Sequence, residues 1–467
     1  MSEHPDQHEN EGSDEEQQED EQYINQDDIE VVEESDADDE PMDEDDQEED
    51  GSGMISANLP LEDNSLGHSI HHESSIFQVT LHPSFPNPPL AISGGEDDLA
   101  FIFSPLSPFP DPSSSKYPIN NSTFEPVRLT GHTDSVITCA FSSDGEMVAT
   151  GGMDGKVRVW RRVKGKQAED PASVEAWRSW EFLTSLDTSD EITWLTWHPK
   201  GPVLAAGTEG GTVWMWQLPS GNNMQVFSSH TEATTAGYFT PNGKLLVTTS
   251  ADSSACVFDP RENAPLLRLA PHQTYNFGRF EEGITSLAVA PASNFLAIGG
   301  ANGQIRVINL PDGKVVSKIP GHAEGESIEG LAFMDILGLA GPGGDGSTKG
   351  LLLVSAATDG KAIVWDVTTS KPRAEVHHED VVTSVFAHPA PRRYLFTTAS
   401  ADKTLKTWDA RQGALIATHK GHAGTINGLA VAAAPAGWGV PEGEEEKAGE
   451  SVVVSAGDDG AVLVWRV

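Results

Sequence analysis

The sequence predicts an all-β fold, an eight-bladed β-propeller preceded by a disordered acidic tail. Three observations carry this: an eightfold internal repeat, short alternating strands within each repeat, and an abrupt change of composition after the first fifty residues. Aligning the closing strands "LAFIF", "KVRVW", "TVWMW", "SACVF", "QIRVI", "KAIVW", "TLKTW" and "AVLVW" places their last residues at Phe103, Trp160, Trp216, Phe258, Ile308, Trp365, Trp408 and Trp465, 42 to 57 residues apart. Upstream of them run further alternating stretches such as "SVITCAF" and "MVATGG", separated by the turn residues "SSDG" and "MDG". These four-stranded units resemble the blades of WD-repeat propellers, whose usual period is about 40–45 residues. The excess length lies in Ser104–Pro126, the basic Arg161–Lys166, the glycine-rich Gly338–Gly350 and Pro435–Gly449.

Within the repeat, three polar positions occur together or not at all. Six residues before each closing residue stands Asp97, Asp154, Asp252, Asp359, Asp402 or Asp459, but Gly210 in the third unit and Asn302 in the fifth. Ten residues before it come Ser93, Thr150, Thr248, Ser355, Thr398 and Ser455, with Ala206 and Ile298 in the same two units. His72, His132, His230, His322, His378 and His422 precede them, and again the two units have none. A catalytic histidine does not recur six times, whereas a structural network does. The expected arrangement is a loop His, a hydroxyl on the second strand, an Asp in the following turn and an indole N–H on the third strand where Trp is present, each satisfying the next. In the most complete units this network comprises His132, Thr150, Asp154 and Trp160; His378, Thr398, Asp402 and Trp408; and His422, Ser455, Asp459 and Trp465.

The chain ends on "AVLVWRV", a third strand with no fourth after it, which would leave an open sheet edge. The segment Leu59–Ile70 is expected to supply the missing outer strand beside Ala461–Val467 and so close the ring. The domain organisation is therefore a disordered tail over 1–54 and a propeller over 55–467.

Charge bounds the function. Of the 72 acidic residues, 26 lie in residues 1–50, which hold no Lys or Arg, so that segment cannot bury enough apolar surface to order itself. The remaining 46 acids face 29 bases, leaving the body at about −17. Such a surface argues against nucleic acid as a direct ligand and for a basic partner. Cys139 and Cys256 form no disulfide framework or metal site, no apolar run reaches the length of a membrane span, and the N-terminus is the reverse of a signal peptide. A cytoplasmic, or also nuclear, monomer without cofactor or metal is expected.

Other motifs carry less. "GPGGDGST" at Gly341–Thr348 imitates a phosphate-binding loop, but Ser347 stands where the Lys belongs and no helix follows. His68, His71 and His72 lack the partners that would complete a metal site. "PLSPFPDP" at Pro105–Pro112 reads as a surface insert or a polyproline ligand. No nucleophile has an adjacent base, so no enzyme is expected.

On a propeller, function belongs to the faces. The loops bearing the repeated His and Asp open around the channel on one face. The repeat register places Glu96, Asp134, Glu191, Glu209, Glu281, Glu282, Glu326, Glu329, Asp380 and Asp458 beside them, with no basic residue at these positions. A rim of one sign focuses potential and speeds capture of a cationic ligand. These ten residues are the candidate site for a basic peptide.

"SGGEDDLAFIF" (Ser93–Phe103) and "WHPKGPVLAAGTEGGTVWMW" (Trp197–Trp216) resemble the matching blades of the angio-associated migratory cell protein family. The resemblance spans roughly His72–Val467 and includes the degenerate third blade. Fungal members of that family are dedicated assembly chaperones of a large-subunit ribosomal protein, L ten in yeast and L sixteen in universal nomenclature. The resemblance implies capture of the newly made protein through its basic N-terminal segment and delivery to the pre-60S particle. Read from charge alone, a histone or chromatin adaptor remains open, as does a signalling or ubiquitin-ligase scaffold.

Overall fold

A computed structural model describes residues 62–106, 125–164, 174–271, 277–310, 312–339, 349–438, 440 and 449–467. The chain divides into Met1–Leu59 and Pro60–Val467. The acidic segment 1–54 and the greater part of the four inserts lie outside the described residues. Of the basic stretch, Arg161 and Arg162 belong to the strand Lys156–Arg162 and so are not insert residues.

The second unit consists of eight antiparallel four-stranded sheets. Seven are built from consecutive strands, the first from Ile76–Leu81, Ala91–Gly95, Ala100–Phe103 and Val127–Leu129. The eighth takes Ile426–Ala433, Ser451–Gly457 and Ala461–Arg466 from one end of the chain and Gly67–Ile70 from the other. The register runs from Gly67 opposite Val464 to Ile70 opposite Ala461. This strand is shorter than the stretch 59–70, of which 59–61 lie outside the described residues. Residues ahead of it clasp the last blade through both backbone and side chains: the Leu66 amide donates to Val464 O at 2.7 Å and the Asn64 amide to Lys420 O at 3.1 Å. Asn64 Oδ1 accepts from Trp465 Nε1 at 2.9 Å and from the Lys420 amide at 2.9 Å, and Glu62 pairs with Lys420.

Each blade's second strand lies between two neighbouring blades, and this sets its sequence. Ala91–Gly95, Met147–Gly152, Leu395–Ser400 and Ser451–Gly457 are buried at every residue. Outer strands such as Asn222–Phe227 and Ala414–His419 are largely exposed. The core is therefore a series of seams. The seam between blades eight and one joins Ile76, Val79, Phe101 and Phe103 to Val452, Val454, Val462 and Val464. The single helical turn among the described residues, Val174–Trp177, seats Trp177 under the Arg162 guanidinium and against His82.

The repeated polar residues bond within each blade. His378 Nδ1–H donates to Asp402 at 2.8 Å, Thr398 O–H donates to His378 Nε2 at 2.7 Å, and Trp408 Nε1–H donates to Thr398 at 2.9 Å. The proton is assigned to Nδ1 because that nitrogen faces the Asp402 carboxylate, which can only accept, leaving Nε2 to accept from Thr398. His322, Ser355, Asp359 and Trp365 form the same chain. In blade two, His132 reaches Asp154 at 3.0 Å and Thr150 at 2.7 Å. In blade eight, His422 reaches Asp459 at 3.0 Å and Ser455 at 2.7 Å. Blade four differs: His230 meets Ser254 at 2.8 Å, and Ser254 passes the bond to Asp252 at 2.5 Å.

Two indoles depart from the expected chain. Trp160 pairs across the sheet with Phe182 and meets its ring edge-on, making no bond to Thr150. Trp465 gives its proton to Asn64 because the N-terminal segment brings that acceptor alongside. In blade five, Phe280 fills the space of the missing His: a Cβ on Gly300 would meet Phe280, whereas on Gly95, Gly152 or Gly457 it would meet His72, His132 or His422.

Candidate peptide-binding face

The site begins with a defect shared by all eight inner strands. Each carries a register shift after its first residue, from Ile76/Gln78 in blade one to Ile426/Gly428 in blade eight. A β-bulge of this kind leaves one residue outside the ladder and re-aims its side chain. The eight bulged residues are Phe77, Ile137, Thr193, Thr235, Thr285, Glu329, Thr383 and Asn427. Phe77, Ile137, Thr193, Thr235 and Asn427 line a central cavity of about 850 Å³ that has no Asp, Glu, Lys or Arg among its lining residues.

A second recurring bond fixes the loops above the bulge. In every blade, the amide of the residue after the second strand donates to the carbonyl just ahead of the inner strand. Examples are Glu96 to Ser75 at 2.9 Å, Glu209 to Glu191 at 3.0 Å and Asp458 to Thr425 at 2.9 Å; Met153 makes the same bond to Ser135. This bond holds Glu96, Met153, Glu209, Ala251, Ala301, Thr358, Ala401 and Asp458 at one level around the ring. The position two residues before each inner strand is the third row: Ser74, Asp134, Asp190, Glu232, Glu282, Glu326, Asp380 and Gly424.

The ten candidate acids fall on these rows or beside them. All are exposed except Glu326, which is half-buried. None forms a salt bridge with a Lys, Arg or His among the described residues. Several are held by neutral donors: Asp458 accepts from Asn427 Nδ2 at 2.7 Å, Glu326 from Thr358 at 2.6 Å and Glu281 from Asn302 at 3.0 Å, so they are less free than solvated loop acids. Asp134 and Asp380 each accept the following backbone amide at 2.7 Å. Glu96, Glu191, Glu209 and Glu329 have no such side-chain bond among the described residues.

Sequence reasoning missed Asp190 and Glu232. Both stand where Asp134 and Asp380 do, two residues before the inner strand, and the repeat register is the signal that finds them. With Glu232 included, every blade contributes at least one carboxylate. Cations are not wholly excluded. Arg279 and Lys403 are exposed in nearby loops, and Arg268 and Arg279 line a cavity of about 620 Å³ with Glu232, Asp252 and Glu282. Among the described residues no group of three or more His, Cys, Asp or Glu could hold a metal, and no helix is long and apolar enough to cross a membrane. Cys139 and Cys256 are both free thiols in the interior, and burial pushes both thiols up in pKa, Cys256 to about 12.

Comparison with known proteins agrees with this architecture. The WD domain, G-beta repeat, matches residues 124–161, 180–217, 221–259, 271–309 and 370–409. The human angio-associated migratory cell protein is 27% identical over 368 residues, covering 76% of this chain and 72% of that protein. The ribosome assembly protein SQT1 of Saccharomyces cerevisiae is 26% identical over 455 residues, 94% of this chain and 93% of its own. An uncharacterized WD repeat-containing protein of Schizosaccharomyces pombe is 32% identical over 410 residues, 86% of each chain. Among solved structures, Chaetomium thermophilum Sqt1 bound to the N-terminus of the ribosomal protein L10 superposes with a TM-score of 0.68 at 25% identity, covering 87% of this chain and 100% of that one. With its eight four-stranded blades, the chain belongs to the WD-repeat β-propeller family, alongside angio-associated migratory cell protein and the Sqt1 ribosome assembly proteins.

Proposed function

We propose that this protein is a dedicated chaperone that binds the basic N-terminal segment of a newly made large-subunit ribosomal protein of the L ten family on its acidic face and supports its delivery to the pre-60S particle. The observation that carries the reading is the rim itself: carboxylates from every blade, none in a salt bridge among the described residues, around the mouth of a cavity with no Asp, Glu, Lys or Arg in its lining. Unpaired carboxylates attract one another's counterions, and a cationic segment replaces those ions when it binds. The Sqt1 neighbour supports the choice of ligand, since it was solved with that N-terminus bound. The role is one of binding, with no catalytic step.

A cell-free translation of the ribosomal protein, with this protein present, tests the proposal. The intact ribosomal protein should stay soluble and co-purify with the propeller, and deletion of its N-terminal segment should abolish both effects. Equal capture of the truncated form would refute the assignment of the segment. Equal capture of core histones would refute dedication to one client.

A further inference from the structure

We infer that the mouth of the channel is a two-part specificity site: an apolar arc formed by Phe77, Ile137 and Met153 receives a bulky apolar side chain of the ligand, and Glu329, on the far side of the ring, receives one of its cations. The inference rests on the reading of the acidic face as a receptor for a basic peptide.

Its basis is what the eight bulged residues do. Four of them reach to the neighbouring blade. Thr285 donates to Ile328 O at 2.8 Å, Thr383 donates to Ile426 O, Asn427 donates to Ile76 O at 3.1 Å, and Thr193 bonds Thr234 at 3.2 Å. Thr235 bonds Thr249 within its own blade at 3.0 Å. All five are thus committed to hydrogen bonds within the fold, four of them across a seam between blades. Phe77 and Ile137 lack a donor for such a bond, and Glu329 has none. The exceptions are not scattered. Phe77 and Ile137 are in adjacent blades one and two, and blade six lies four blades from blade two in a ring of eight.

The row above repeats the pattern. Met153 is 41% exposed between Glu96 of blade one and Glu209 of blade three, the one large apolar side chain in a row otherwise made of Glu, Ala, Thr and Asp. The cavity beneath is within the size range of pockets that enclose a small ligand, and no charge lines it. A side chain entering it leaves water without having to strip a charged group of its hydration. Its occupant is therefore a basic peptide with an apolar or aromatic residue among its cations, which a polycation lacking such a residue cannot match.

The substitutions Phe77→Thr, Ile137→Thr and Met153→Ala test this on the full chain, because the fold itself places Thr and Ala at the equivalent positions of other blades. Calorimetry compares two synthetic probes of equal charge, an alternating Lys-Gly decapeptide and the same peptide with one central Gly replaced by Tyr. The Tyr peptide should bind the unmodified protein about tenfold or more tightly than the Gly peptide, since burying an aromatic ring is worth at least that factor. The triple variant should lose this advantage and keep its affinity for the Gly peptide. Equal affinities for both peptides, or an advantage that survives the triple variant, overturn the apolar subsite while leaving the acidic receptor standing. Failure of both peptides to bind at low salt overturns the receptor reading and the subsite with it.

Discussion

Replacing Asp402 with Ala removes the acceptor on which blade seven's polar chain converges. The carboxylate accepts His378 Nδ1–H at 2.8 Å, the Glu379 amide at 3.1 Å, and the Thr404 amide and hydroxyl at 2.9 and 2.6 Å. The two amides and the hydroxyl stand near solvent and can turn to water. The His378 ring cannot, because its side chain is 0% exposed. Orphaning that one buried donor costs about 1–3 kcal/mol, and the loss sets the size of the effect. Asn302, at the same position of blade five, bonds only Glu281 and the Gly325 amide at the exposed edge, so Asn302→Ala should cost about 0.5 kcal/mol or less. Asp402→Asn keeps an oxygen for His378 and should fall between the two. Burial alone would raise the Asp402 pKa, but hydrogen bonds from His378 and Thr404 more than offset it and hold the carboxyl well below the usual range. Its contribution is therefore present above the unfolded pKa of about 3.9 and lost as pH falls toward the folded value, and Asp402→Asn should blunt that acid loss. Urea unfolding, with hydrogen exchange of blade-seven amides as the local readout, measures all three variants. Equal losses for Asp402→Ala and Asn302→Ala would refute the reasoning.

Two further outcomes follow from the same structure. Deleting residues 1–54 should leave the thermal midpoint unchanged, whereas deleting 1–70 removes the strand Gly67–Ile70 and the Asn64 clasp, and should lower it by about 5 °C or more; identical melting of both truncations would contradict closure of the eighth blade. Burial holds the pKa of His82 and His419 down to about 4 and that of His388 down to about 3. The unfolded chain then takes up protons first, so stability should fall as pH drops below about 6.5 and continue falling toward 4. A urea midpoint that is flat between pH 7 and 5 would contradict this.

Much of the ring was legible because its signals are local and repeated. The spacing of Asp, hydroxyl and His relative to each closing residue is fixed by the geometry of one blade, so eight copies in register expose both the architecture and the two units lacking the network. What depended on strand pairing was not legible. "IFQVTL" and "VITCAF" show alternation but not the bulge at Phe77 and Ile137, which exists only against Gly95 and Gly152. The partner of Trp465 is 401 residues away in sequence, and that of Trp160 depends on which residue its outer strand sets opposite. On the rim, Glu96 and Asp458 were found by their place before the turn Asp. Glu232 is hidden despite an equally clear register, because a reading keyed to the first apolar residue of the inner strand finds no such residue at Thr234, where blade four's inner strand begins. The closing strand is legible from topology, whereas the grip of Asn64 and Glu62 on Lys420 and Trp465 joins residues that meet only in the folded ring.

The central claim is that rim carboxylates, and not the 26 acids of the first fifty residues, select the basic ligand. Calorimetry of the L ten N-terminal segment on the full chain, on the 55–467 chain and on a Glu209→Lys/Glu329→Lys variant decides it. These two residues are chosen because neither side chain holds a hydrogen bond among the described residues, whereas Asp458 supports Asn427 and through it the seam to blade one. The account predicts that the 55–467 chain binds as the full chain does, that binding weakens steeply with salt because exposed charges are screened beyond about 8–10 Å, and that the double reversal abolishes it without lowering the melting temperature. Binding that vanishes with residues 1–54 and survives the reversal would contradict the account and assign the ligand to the acidic segment.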